Sequence, residues 1–289
     1  MSSVISVIEK EFDRETLFAL AKSLHDSYES LMQDYFVWEI IDSVIPEPAL
    51  TRLQAFRDEV TGHRIVNDMV MKYYPCERVV KYNIIKNFLK NKRDVTVFEM
   101  NIDNSRLDLG RINGNSYGYE IKTELDNLLK LRKQLDDYSK VLEYVYVIAH
   151  PRHLAKIYEM APDHCGIIIY EISGKKFSLH EEKPASLSPC IDINVQVRNL
   201  TSKDIEFILK QAGEKNIPTT RKEREEILYR RMPELDFNEF YKLALKKRLG
   251  YRWEYVRKVF KQVQPIDVQG FYAIPADPYW VYYKHSSMV

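Results

Sequence analysis

The sequence predicts an α/β fold, with a core of strands and helices between about 76 and 183 and a helical region on either side of it. Three observations lead there. The core reads in the order helix, three strands, helix, strand, helix, two strands. Asn113-Gly114-Asn115 sits between two of the strand-like runs as a strong hairpin turn. Outside the core, apolar residues recur near every 3.6 positions instead of every second one.

From the start, Leu17, Leu20, Ala21 and Leu24, then Tyr28, Leu31 and Met32, keep the helical period. Ile45-Pro46-Glu47-Pro48 breaks it, and helical pieces follow through Leu53 and Phe56 and from Asn67 to Tyr74. After Pro75, the run 76–89 carries an apolar face through Val79, Val80, Ile84 and Ile85. Lys81, Lys86 and Lys90 face water on its other side. Val95-Thr96-Val97-Phe98 leads the first strand, Arg106 to Ile112 is the second, and Tyr117 to Thr123 is the third. A helix is expected from Leu125 to about Leu142, then a fully apolar strand over 144–149. A helix beginning near Pro151 and strands over 167–172 and 176–180 close the core. Residues 184–200 read as a linker. Helices are expected over 202–211, 221–231, 237–249 and 253–262, punctuated by Gly213, Pro218, Pro233 and Gly250. The aromatic tail with Phe271, Tyr272, Tyr279, Trp280, Tyr282 and Tyr283 reads as a loop or edge segment. The expected regions are thus 1–75, 76–183, 184–200 and 201–289.

Composition narrows the function classes. A net charge of +1 leaves any basic surface local, since the molecule as a whole is no polycation. No run reaches the ~20 apolar residues of a membrane span, and the opening residues lack the pattern of a signal peptide. Cys76, Cys165 and Cys190 are widely spaced and odd in number. That argues for a reducing, cytoplasmic compartment and against a disulfide framework or a cysteine zinc site. No phosphate-binding glycine loop and no Gly-x-Ser-x-Gly elbow is present. His63, His150, His153 and His164 lack zinc-ligand spacing, although His150 and His153 flank a strand-to-helix junction near the expected active end.

The chemistry-bearing pattern is Arg106-Leu107-Asp108-Leu109 followed, across the turn, by Tyr119-Glu120-Ile121-Lys122. Strand period puts Glu120 and Lys122 on one face and Ile121 on the other. A hairpin about Asn113-Gly114 would let Asp108 approach that pair. Carboxylates at a sheet end are hard-oxygen ligands for Mg2+ or Mn2+. Lys122 could orient or deprotonate a water, or offset charge in a phosphodiester transition state. A charged strand ending in Glu-x-Lys is also a common solvated edge, and both readings stand at this level. Asp126, Lys130, Gln134 and Tyr138 recur every four residues as one polar stripe, either a solvated face or groups reaching toward the sheet end.

The segment from Glu99 to about His153 resembles the sce7726 family, which is assigned to the PD-(D/E)xK nuclease-like superfamily. The resemblance rests on Glu99, Arg106, Asp108, Tyr119-Glu120-Ile121-Lys122, Asp126, Gln134 and Tyr138. It implies a restriction-endonuclease-like central mixed sheet flanked by helices. It also implies Asp108 and Glu120 as metal ligands with the Ile121 carbonyl as a third, Lys122 as the catalytic lysine, and Gln134 and Tyr138 beside them. Glu99 fits the family pattern as a supporting carboxylate better than Glu77, which stands where the wider superfamily often has one. Thr123 departs from the serine common after the lysine. The function so implied is Mg2+- or Mn2+-dependent hydrolysis of nucleic-acid phosphodiesters, in DNA rather than RNA.

Two other readings compete. One is a nucleic-acid-binding module that keeps the fold without cutting, and the other a structural or regulatory subunit. A protein partner or a homodimer stays open, and no membrane role is expected. Lys242, Lys246, Lys247, Arg248, Arg252 and Arg257, interleaved with Tyr241, Tyr251 and Trp253, could track phosphates and stack bases, or form a solvated face with inward aromatics.

Overall fold

Among the described residues six helices precede the first strand: α1 (Ser6–Glu9), α2 (Arg14–Ser27), α3 (Asp34–Val44), α4 (Ala49–Gln54), α5 (Gly62–Tyr73) and α6 (Glu77–Phe88). The computed structural model describes residues 4–282 apart from 175 and 235. Tyr283 of the aromatic tail and the first three residues lie outside the described set.

The β-branched and aromatic runs then build one sheet of six strands. These are β1 (Val95–Ile102), β2 (Ser105–Ile112), β3 (Ser116–Lys122), β4 (Tyr144–Ala149), β5 (Gly166–Ser173) and β6 (Lys176–Lys183). Spatial order follows chain order. β1, β2 and β3 pair antiparallel, β3, β4 and β5 pair parallel, and β6 returns antiparallel. The parallel steps each need a crossover helix. α7 (Leu131–Ser139) and α8 (Leu154–Met160) supply them. Four helices follow: α9 (Ile193–Asn199), α10 (Ser202–Gln211), α11 (Arg221–Arg231) and α12 (Phe237–Val259). α13 (Val268–Ala273) and α14 (Pro278–Val281) end the described chain. The protein is therefore α/β, with a mixed sheet flanked by helices. Among the described residues no helix is long and apolar enough to cross a membrane.

The chain divides into two compact units. One runs to Lys86 and resumes at Tyr255, and the other is Asn87–Glu254. In the sheet-bearing unit, β3 and β4 are in register with Gly118 beside Val145, Glu120 beside Val147 and Lys122 beside Ala149. Val145, Val147 and Ala149 belong to the buried core that also holds Leu131, Leu135 and Tyr138 of α7. The sheet face bearing Glu120 and Lys122 is thus the one α7 covers. The opposite face is aromatic: Tyr117 stacks on Tyr144 and Tyr119 on Tyr146, with centroids 5.2 and 5.8 Å apart.

That aromatic face constrains its neighbours. A Cβ at Gly166 would lie 2.3 Å from the Tyr146 ring and 2.7 Å from the Ala185 nitrogen. Gly166→Ala is therefore expected to cost about 1–3 kcal/mol through overpacking, read as a lower urea midpoint at unchanged slope. An unshifted midpoint would mean that ring and strand move apart freely.

Several sequence expectations change here. The helix expected over 125–142 is confined to Leu131–Ser139, because Asp126 accepts both the amide and the hydroxyl of Thr123 and Asn127 accepts the Leu129 amide. Such side-chain bonds offer the backbone an alternative to helix. The stretch read as a linker contains α9, whose Val195 and Val197 enter the core of the sheet-bearing unit. The two helices expected over 237–249 and 253–262 are one, α12, running through Gly250. A single interior glycine costs a helix only about 1 kcal/mol, which packing of Tyr241, Ala244 and Leu245 offsets.

The other unit is helical. Leu17, Leu24, Trp38, Ile41, Ile65 and Met69 build its core. Part of the tail read as a loop folds into it: Phe271 and Tyr272 are buried. Asp267, fully buried, accepts hydrogen bonds from Tyr28 and Tyr282, each at 2.8 Å. Burial raises its carboxyl pKa above the ordinary range, against those hydroxyl bonds. His63 is spent in the same unit, with its ring nitrogens on Asp34 and the Met32 carbonyl.

Candidate active site

Hairpin geometry brings the sequence pattern together. The β2–β3 ladder pairs Ile112 with Ser116 through Leu109 with Tyr119. Beyond that pair, the next positions along the two strands are Asp108 and Glu120. Here the Asp108 side chain replaces the backbone rung: its Oδ2 accepts the Ile121 amide at 2.7 Å. Both carboxylates are buried, Asp108 at 8 % exposure and Glu120 at 1 %.

Four of the expected side chains form one connected network. Lys122 Nζ lies 2.7 Å from Glu120 Oε1 and donates to Gln134 Oε1 at 3.2 Å. The Tyr138 hydroxyl lies 2.8 Å from both Glu120 Oε2 and the Arg106 carbonyl. Gln134 and Tyr138 stand four residues apart on α7, so one helix face delivers both to the sheet. A buried ion pair recovers its desolvation cost only when its remaining donors and acceptors are bonded. Tyr138 and Gln134 provide those bonds.

The electrostatics follow. Burial disfavours the Lys122 ammonium, but Glu120 beside it, reinforced by Asp108 and Asp126, raises its pKa above the usual lysine value. Burial and then the Glu120 charge push the Tyr138 phenol well upward, so it serves as a hydrogen-bond donor throughout the ordinary pH range.

Glu99 stands across from Asp108 in β1, between the paired positions Phe98–Leu109 and Met100–Leu107. Its backbone takes the left-handed conformation, with φ at 54°. For a glutamate inside a strand that is strained. The ladder omits this position, and Glu99 reaches Arg106 at 2.6 Å. Glu99 and Asp108 each bring a carboxylate oxygen within 4.8 Å of the other, a separation that one oxygen-liking cation can bridge. Glu120 lies outside that group, with its oxygens on Lys122 and Tyr138. Nothing in the residue type announces the left-handed Glu99, so sequence patterning misses it.

Asp126, His153 and His150 take structural tasks beside the network. Asp126 leaves the expected helical stripe to cap the exit of β3 at Thr123. Glu77 lies in the first turn of α6 and pairs with Lys81 there. His153 is buried with Nε2 on the Thr123 carbonyl at 2.9 Å, which gives it a structural task. The His150 amide extends the sheet by donating to the Lys122 carbonyl at 2.9 Å.

The C-terminal basic stripe also divides. Lys242 is 3 % exposed and donates to the Gly114 carbonyl at 2.6 Å and to Glu143 at 3.0 Å. Glu143 also accepts the Ser116 amide at 2.6 Å and the Asn238 amide at 2.8 Å. Tyr241 and Trp253 are fully buried, so neither is available for base stacking. Arg248 is bound to Asp204.

A family model described as Bacteriophage P4 protein cII matches residues 72–269, more than half of the chain. No curated protein and no solved structure matches.

Proposed function

The chain belongs to the bacteriophage P4 protein cII family, and we propose that within this frame its sheet-bearing unit is a Mg2+- or Mn2+-dependent nuclease acting on DNA. The observation that carries the reading is the convergence of Asp108, Glu120, Lys122, Gln134 and Tyr138 at one sheet end. The resemblance of Glu99–Tyr138 to the sce7726 family, and with it a restriction-endonuclease-like sheet, supports the same reading.

The donor set suits the ion. Asp108, Glu120, Glu99 and the Ile121 carbonyl are all hard oxygens, with no cysteine or histidine among them. Bound there, a divalent cation would stabilise the negative charge that builds on the phosphate. The protein's own groups do the rest. Asp108 is fixed by the Ile121 amide, and Glu120 is oriented by Tyr138. Lys122 carries a held positive charge against the same carboxylates, placed to orient a water or to meet charge on the departing oxygen. Gln134 holds the lysine on its other side.

Labelled single- and double-stranded DNA, incubated with the protein in EDTA, Mg2+ or Mn2+, tests the proposal. Cleavage is expected only with metal, with activity returning when the ion is restored after chelation. Folded protein that binds DNA in a salt-sensitive way but cuts with no metal would mark a non-cleaving binding module. A salt-insensitive protein complex without DNA affinity would mark an interaction subunit.

Tyr138→Phe keeps the ring in the core and removes the hydroxyl that orients Glu120. The expected result is a loss of about 10- to 100-fold in cleavage or metal affinity, the usual penalty for removing a partner of a ligand. An unchanged metal titration and rate would mean that Glu120 needs no such support.

A further inference from the structure

We propose that the loop joining β3 to α7, residues 123–130, is a wedge that enters the base stack of duplex DNA through Leu125 and Leu129. The inference rests on the nuclease reading and assigns to that site a way of engaging duplex substrate.

The loop begins at the residue after Lys122 and ends where α7 starts, so site residues bound it on both sides. It is tied down along its length. Asp126 holds the Thr123 amide and hydroxyl, His153 meets the Thr123 carbonyl, and Arg152 donates to the Glu124 carbonyl at 2.7 Å. Asn127 accepts the Leu129 amide at 3.1 Å, and buried Leu128 roots the turn in the core. Against that fixed backbone, Leu129 is 88 % exposed and Leu125 46 % exposed.

A single surface leucine needs no explanation. Two on a short immobilised loop beside a carboxylate–lysine centre are placed differently. A side chain carried on a fixed backbone spares the cost of ordering the loop when it inserts between bases, and leucine is among the residues that unstack base steps in this way. The exposed cations Lys130 and Arg152, on or against the same loop, offset the Glu124 and Asp126 carboxylates it carries, so the loop presents no net charge against phosphates. Unstacking would distort the duplex next to the scissile bond, at a cost of a few kcal/mol per step that contacts in the site must recover.

The test uses the full chain with a DNA duplex carrying 2-aminopurine, a base whose fluorescence rises when it unstacks. Single-strand cleavage in Mg2+ is measured alongside. On binding, the wild-type protein is expected to raise the fluorescence several-fold. In the Leu125→Ala, Leu129→Ala double variant the signal should stay at the free-duplex level, and duplex cleavage should fall about tenfold or more. Single-strand cleavage should remain within about twofold, since no stack to a partner strand has to be opened. Leu129→Lys should likewise lose the fluorescence rise while keeping salt-sensitive affinity, which separates insertion from phosphate attraction. Equal fluorescence and equal duplex cleavage in wild type and variants would overturn the wedge and leave the nuclease reading intact. Wild-type protein that cleaves neither substrate would remove the nuclease reading, and the wedge with it. Leu129 is largely solvent-facing and Leu125 about half so, and neither belongs to the buried core cluster.

Discussion

Alanine in place of Lys122 is expected to lower metal-dependent DNA cleavage by about 10²- to 10⁴-fold, the range over which a positioned proton-transfer or charge-stabilising group contributes. The ammonium is locked between Glu120 and Gln134, so a water or solvent cation reproduces neither its position nor its fixed charge. Removing it also leaves the buried Glu120 without its opposite charge, which costs stability. The measurement is therefore a single-turnover rate at saturating Mg2+, with a urea titration run beside it to separate chemistry from folding. Lys122→Arg keeps the charge but replaces a point donor by a planar fork, and its activity should stay well below wild type. Cleavage surviving intact in folded Lys122→Ala would remove Lys122 from the site.

Lys242→Ala is expected to destabilise the sheet-bearing unit by about 3–5 kcal/mol, the penalty for breaking a buried ion pair by deleting one partner. Its ammonium satisfies Glu143 and the Gly114 carbonyl, and Glu143 in turn holds the Ser116 amide at the start of β3. Deletion leaves a buried carboxylate without its cation at the junction of the hairpin turn, β3 and α12. Denaturant unfolding followed by far-ultraviolet circular dichroism should show a lowered midpoint. Lys242→Met, which restores much of the volume, should lie between the alanine variant and wild type only if packing shares the loss. DNA affinity per folded molecule should not change. A drop in affinity without a drop in stability would return Lys242 to the phosphate-tracking role that its sequence neighbourhood suggests.

Lys242 shows where a one-dimensional pattern stops. Basic residues interleaved with tyrosine and tryptophan have the same spacing whether they line a nucleic-acid groove or hold a helix in place. Tyr241 turns inward because α12 lies on the core, and Lys242 and Trp253 are buried as well, which their spacing does not disclose. The gap read as a linker held a helix for a related reason. α9 is short and gains its stability from Val195 and Val197 meeting a core made elsewhere in the chain.

Local chemistry, by contrast, was legible. The Asn113-Gly114 turn, the period-two strands around it and the apolar run at 144–149 determined the β2–β3 hairpin and the buried β4 by short-range sterics and side-chain alternation. From these alone Glu120 and Lys122 share a face, and a hairpin lets Asp108 approach them from the neighbouring strand. Only the tertiary structure decided what surrounds that pair. α7 lies over the sheet so that Gln134 and Tyr138 close the network, and Asp126 turns away to cap β3. The Glu99 backbone enters left-handed space across from Asp108. Those outcomes depend on contacts between residues far apart in the chain, whose free energy no local window of sequence contains.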